Sequence, residues 1–159
     1  MKMDFYPGLL SRTIDTHIDI DAPPEKVWDV LVDFPRWAEW NPFVPKVEGI
    51  LEEGRKVHLK VVPPGTHIKV RFNPEVWVVR PCEEILWGGS WLGIVYRGDH
   101  DLVLERLPQG GTRFSQRERH RGLPVLFMGG LFGPIERGYR QMNEGLKQRV
   151  ESMKSQNAK

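Results

Sequence analysis

The chain carries a single cysteine, Cys82, so it can form no internal disulfide, and it lacks the companion ligands of a zinc knuckle. Such a sequence suits a reducing compartment and must be held together by an ordinary core. Charge of one sign is never concentrated. The 23 basic and 21 acidic residues are interspersed and leave a formal net charge of only +2, so nothing resembles the electrostatic footprint of a nucleic-acid binder. No apolar run approaches bilayer-spanning length, and the opening Met1-Lys2-Met3-Asp4-Phe5-Tyr6-Pro7 has no signal-peptide core. A cytoplasmic protein without stable membrane insertion is expected. Internal repeats and low-complexity linkers are also missing, and 159 residues fit one domain, 1–159.

What is present is 40% apolar residue content in patterns that change from strand to helix to strands to helix, an order that argues for an α+β fold. Ile14, Thr16, Ile18 and Ile20 alternate with Asp15, His17 and Asp19, the pattern of a strand over Thr13–Ile20 with one wet face and His17 in solvent. Asp21-Ala22-Pro23-Pro24-Glu25 reads as a helix start with Asp21 as the cap. Val27, Trp28, Leu31 and Phe34 share that helix's apolar face, Pro35 ends it, and Arg36–Pro42 forms a short second helix.

From Val44 to His120, Gly and Pro punctuation separates about six strands in a meander. Val57, Leu59 and Val61 mark one inner face; Ile68, Val70, Phe72, Val76 and Val78 share a parity in the next run, with Trp77 unexplained on the other side. Tyr96, Gly98, His100, Leu102 and Leu104 share a parity in the following strand. The last strand is the most informative. Arg113, Ser115, Arg117, Arg119 and Arg121 occupy one face and require water, which sends Phe114, Gln116, Glu118 and His120 inward.

A final helix carries Leu131, Ile135, Tyr139, Met142, Leu146, Val150 and Met153 at three- and four-residue steps. Gly129, Gly130, Gly133 and Gly138 weaken its first half, which implies a kink, a close approach, a mobile lid or simply a loosely defined helix start. Gly129-Gly130 and the Pro63-Pro64-Gly65 hairpin are expected as the lips of a pocket.

The runs Ile18-Asp19-Ile20-Asp21-Ala22-Pro23-Pro24-Glu25-Lys26-Val27-Trp28 and Asp33-Phe34-Pro35-Arg36-Trp37-Ala38-Glu39-Trp40-Asn41-Pro42-Phe43 resemble the opening of the START-like superfamily of polyketide cyclases/dehydrases and lipid transport proteins. Gly98-Asp99-His100, Gly111-Thr112-Arg113-Phe114, Gln116-Arg117-Glu118 and Glu136–Asn143 continue the resemblance, which covers about residues 12–152. It implies a helix-grip fold: a bent seven-stranded antiparallel sheet around the long C-terminal helix, with two short helices after the first strand and a ligand cavity between. The superfamily hosts several activities, so function must be argued from the site. Its ring-hydroxylase branch is set aside because the sequence has no Cys/His cluster with iron-ligand spacing; no metal or cofactor is expected.

Candidate wall residues are Trp40, Trp87, Trp91, Tyr96, Phe114, Phe127, Tyr139 and Met142, with Asn41 and Gln116 as polar contacts. Asn41 has an alternative role in capping the turn before Pro42. His100, Glu118 and His120 are the acid/base candidates, since buried ionisable groups need partners or a purpose. Glu118 also matches a position where the family often carries an acid, which favours a fold role for it. Two functions stay open. One is a cofactor-independent cyclase or dehydratase acting on a polyketide-like molecule; the other is a non-catalytic carrier of a lipid or hydrophobic metabolite.

Overall fold

A computed structural model describes residues 8–91 and 95–156. Among these residues, eight strands form two antiparallel sheets. β1 (Ser11–Ile20), β8 (Thr112–Gly122), β7 (Tyr96–Arg106), β6 (Glu84–Trp91) and β5 (Glu75–Arg80) make the larger one in that order, and β2 (Lys46–Glu48), β3 (His58–Val61) and β4 (Val70–Phe72) make the smaller. Between β1 and β2 lie α1 (Pro24–Leu31), a single 3-10 turn at Phe34–Arg36 and α2 (Trp37–Trp40); α3 (Gly129–Gln156) closes the chain.

The count differs from the expected seven because the run 68–78 is not one strand. Pro74 has no N–H to give to a ladder, and the chain breaks at Asn73-Pro74 between β4 and β5. The Pro74 carbonyl instead accepts from Val57 N–H at 3.0 Å, and Val76 N–H donates to the Arg55 carbonyl at 2.8 Å, which joins the two sheets through the segment leading into β3. A register shift between Val76 and Val78 then ends the shared parity. Val76 is fully buried, whereas Ile68 and Phe72 are exposed, contrary to the inner face assigned to them. Trp77 has its own explanation: its ring lies against Gly88 on β6, where an added Cβ would sit 2.6 Å from it, and the Arg97 guanidinium stacks 5.2 Å above.

β1 and β8 pair with Asp15 opposite Arg117 and Asp19 opposite Arg113, and both pairs are hydrogen-bonded at 2.8 Å. Further along β8, Arg119 and Arg121 both bond Asp99 on β7. That end of the arginine face is therefore not fully wet: Asp99 is buried, and the Arg121 side chain keeps only 15% exposure. His17 faces solvent, as its parity requires.

α1 buries Val27 and Leu31 completely. Its N-cap position falls on Pro23, which offers no side-chain acceptor, instead of Asp21; the Asp21 N–H is held by Glu151 of α3 at 2.9 Å. α3 turns Tyr139, Met142, Leu146 and Val150 inward, while Met153 is exposed. Its glycines divide by surroundings. Gly129 and Gly130 have nothing within 4 Å of a would-be Cβ, but at Gly138 a Cβ would fall 2.2 Å from the Phe43 ring, and at Gly145 it would fall 2.1 Å from the Trp40 carbonyl oxygen. These two are sites of close helix approach.

Candidate active site

A cavity of about 570 Å³ lies between the two sheets and α3. Phe43, Val44, Leu59, Val61 and Trp37 form one apolar side of it, and Ile135 and Met142 of α3, with Met128 before it, form another. Phe72, Asn73, Gly89 and Ser90 line it while exposed to solvent, so the mouth lies there. Neither Pro63–Gly65 nor Gly129-Gly130 lines the cavity, and Phe72–Pro74, Pro124 and Met128 stand in their places.

The polar groups gather on the wall built by β7 and β8. Glu118 is directly opposite His100, and His120 opposite Gly98, so side chains alternating inward on neighbouring strands meet on one face. The Tyr96 hydroxyl lies 2.7 Å from His120 Nδ1. On the other side of that ring, Nε2 lies 2.9 Å from Glu118 Oε2, a contact distance off the line of an ideal hydrogen bond. Tyr139, from α3, also stands beside the Glu118 carboxylate and favours its ionised form. Burial pushes the Glu118 carboxyl up, but His120 beside it, together with His100 and Tyr139, outweighs burial and holds it below the usual carboxylate range. Glu118 is therefore ionised at neutral pH.

His100 is buried, and desolvation pulls its pKa down against the opposing pull of Glu118 and of the Gln116 side chain, leaving a neutral imidazole. Its Nδ1 accepts from Trp87 Nε1 at 3.3 Å, which assigns the proton to Nε2, an atom without a hydrogen bond of ordinary geometry. The Tyr139 ring packs 4.7 Å from the His100 ring. Burial first, then the negative charges of Glu118 and Asp99, push the Tyr96 phenol well above its ordinary value, so it remains a hydroxyl.

Of the sequence candidates, Trp87, Tyr96, His100, Glu118, His120, Tyr139 and Met142 all line this cavity. Among the described residues the remaining candidates do not, for separate reasons. Phe114 is completely buried in the core between β8 and its neighbours, and Trp40 packs on Trp37 at 5.3 Å. Asn41 caps its turn, its side-chain oxygen accepting from Val44 N–H at 2.9 Å. Gln116 is inward, as its parity demands, but donates to Asn143 Oδ1 of α3 at 2.6 Å and ties sheet to helix. Phe127 is 87% exposed, because Leu123–Phe127 is a 3-10 turn whose three-residue repeat buries Val125 and turns Phe127 out. The Trp91 side chain lies outside the described residues. Sequence reasoning missed Asn143, which the need of an inward Gln116 for a partner signalled, and Phe43, which the resemblance quoted without assigning a role.

With the helix seated on an antiparallel sheet and a polar wall in an apolar cavity, the comparisons with known proteins add the family. The profile of the polyketide cyclase / dehydrase and lipid transport family matches residues 11–151, and the chain belongs to that family. Similar solved structures include the Zhui aromatase/cyclase from Streptomyces sp. R1128, with TM-score 0.68 and 20% identity over 89% of this chain and 94% of that one. A point mutant of norcoclaurine synthase from Thalictrum flavum, in complex with a transition-state analogue, superposes with TM-score 0.66 and 13% identity over 91% and 97%. A hypothetical protein from Helicobacter pylori reaches TM-score 0.72 at 15% identity over 91% and 90%. At such identities the likeness is one of fold. A search of curated proteins finds no match. Among the described residues, no helix is long and apolar enough to cross a membrane.

Proposed function

We propose that the chain is a single ligand-binding domain, working in the cytoplasm, whose cavity takes a small, largely apolar, carbonyl-bearing molecule and carries out proton transfer on it. The reaction is ring closure of a ketide-like chain by aldol addition, followed by loss of water, with no cofactor. One observation carries the reading: His100, Glu118 and His120 all line one wall, built by β7 and β8, of a largely apolar cavity. Glu118 is the ionised partner beside His120, His120 is the acid/base group, and His100 is the neutral imidazole next to them on the same wall. The same family includes lipid transport proteins by its description, and the relative from Streptomyces is an aromatase/cyclase; both fit a cavity of this composition.

A carrier is the second reading, favoured by the contacts that already engage two of these groups within the protein, Tyr96 on His120 and Gln116 on Asn143. Native mass spectrometry of the protein purified from its own cell extract, with identification of any copurifying molecule and its incubation with fresh protein, separates the two. Ring closure or water loss that His120→Ala abolishes supports the enzyme. A ligand recovered unchanged after incubation supports the carrier.

A further inference from the structure

We infer that Tyr96 is the residue that exchanges protons with the ligand, with His120 and Glu118 acting behind it as a relay. The inference rests on the cavity being a site of proton transfer. His120 Nδ1 is engaged by the Tyr96 hydroxyl at 2.7 Å, and Nε2 is buried against Glu118, 2.9 Å from Oε2 though off hydrogen-bond geometry, where no ligand reaches it. A ligand therefore reaches His120 only through the phenol, which lines the cavity and, as a hydroxyl, keeps a lone pair free while it donates. In the tautomer that carries its proton on Nε2, beside Glu118, the His120 ring leaves Nδ1 open to receive the Tyr96 proton.

The steps balance without a co-reactant. The Cα–H bond next to the ligand carbonyl breaks and its proton passes to the Tyr96 oxygen, while the phenol's own proton moves to His120 Nδ1 and forms an imidazolium paired with the Glu118 carboxylate. The C–H electron pair becomes the enolate, whose carbon bonds to a second carbonyl carbon. Tyr96 then gives a proton to the new alkoxide and recovers one from His120, and the relay stands as it began. Water loss follows the same route: a further α-proton enters the relay, and the hydroxyl leaves with the relay's proton as water.

Gly98 makes the arrangement possible. It lies on the same face as Tyr96, two residues on and opposite His120, and a Cβ there would sit 2.8 Å from the Tyr96 hydroxyl oxygen. Only a glycine lets the ring lie across the strand and reach the imidazole. Since the obstructed atom is the far end of a side chain, alanine at this position displaces the hydroxyl without breaking the strand.

The test uses 2-tetralone, an apolar aryl ketone, with deuterium uptake at its α-carbons followed by NMR in heavy water and binding followed by tryptophan fluorescence. Wild-type protein is expected to accelerate exchange over buffer. Tyr96→Phe should lower the acceleration about 100-fold or more with affinity for 2-tetralone within a few-fold of wild type, and Gly98→Ala should lower it as well. In ¹⁵N spectra the His120 Nδ1 resonance should shift in Tyr96→Phe, a signature that a role confined to packing does not produce. Full exchange by Tyr96→Phe alongside its loss in His120→Ala overturns the relay and leaves the proton-transfer reading intact. An unshifted His120 Nδ1 also overturns the relay. Bound 2-tetralone with no exchange by wild type overturns both.

Discussion

Replacing Gly138 by alanine sets two opposing effects against each other inside α3. In an unencumbered helix interior the change stabilises by about 1 kcal/mol, because glycine loses more backbone freedom on folding. At Gly138 the new methyl would fall 2.2 Å from one Phe43 ring carbon and 2.5 Å from two more. Ordinary contact begins beyond 3.4 Å, so the ring or the helix must move by more than an ångström. Phe43 is buried and packs edge-on to Tyr139 at 5.0 Å, so the cost belongs at the upper end of overpacking, about 3 kcal/mol, and the net loss is about 2 kcal/mol. The same substitution at Gly130, which has open space around it, should stabilise by about 0.4–1 kcal/mol. Urea denaturation followed by tryptophan fluorescence reads both as shifts of midpoint at constant slope. Phe43 also lines the cavity, so Gly138→Ala should weaken 2-tetralone binding while Gly130→Ala leaves it unchanged. A Gly138→Ala protein as stable as Gly130→Ala would refute the reasoning that a close helix contact, and not a loose helix start, accounts for that glycine.

The His100 imidazole, whose pKa burial holds below its ordinary 6.5, binds fewer protons folded than unfolded; its contribution is present above pH 6.5 and is lost as pH falls from there towards the depressed native value. His100→Gln should flatten this limb, by at most about 1.4 kcal/mol per pH unit, and an unchanged slope of stability against pH would count against a buried neutral His100. Asp99→Ala removes the partner that Arg119 and Arg121 share, while Arg119 keeps Asp101, and should cost about 2 kcal/mol, read by thermal unfolding; a loss under half a kcal/mol would mean that this ion-pair cluster is already solvated. Phe127→Ser, at an 87% exposed position, should change stability by no more than about 0.5 kcal/mol and leave 2-tetralone affinity intact.

The parts of the fold that were legible in the sequence are those where one face is strongly constrained. Four arginines and a serine on one side of β8 leave Gln116, Glu118 and His120 a single direction to point, and alternation in β1 does the same for Ile14 and Ile20. The run from Ile68 to Val78 misled because parity persists across Asn73-Pro74 even though the ladder does not, and a bulge then shifts it. Apolar character alone placed Phe127 inside, whereas the tight turn around it sets its direction. Asp99 lies opposite the inward parity of β7 and is nonetheless buried, because long arginine side chains fold over it, which strand alternation does not reveal. Within the site, the inward histidines and Glu118 followed from strand pattern. The contact of Tyr96 with His120 did not, since it depends on an absent side chain at Gly98, and the difference between Gly138 and Gly130 depends on a neighbour almost a hundred residues away in sequence.

The most direct test of the central claim is to locate a bound aryl ketone by intermolecular NOEs between 2-tetralone and isotope-labelled protein. The account predicts contacts to Trp87, Tyr139 and Met142 together with a shifted His120 signal, which would put the carbonyl end of the ligand against the β7–β8 wall. Contacts confined to the exposed Leu123, Leu126 and Phe127, with the His100 and His120 signals unmoved, would contradict it.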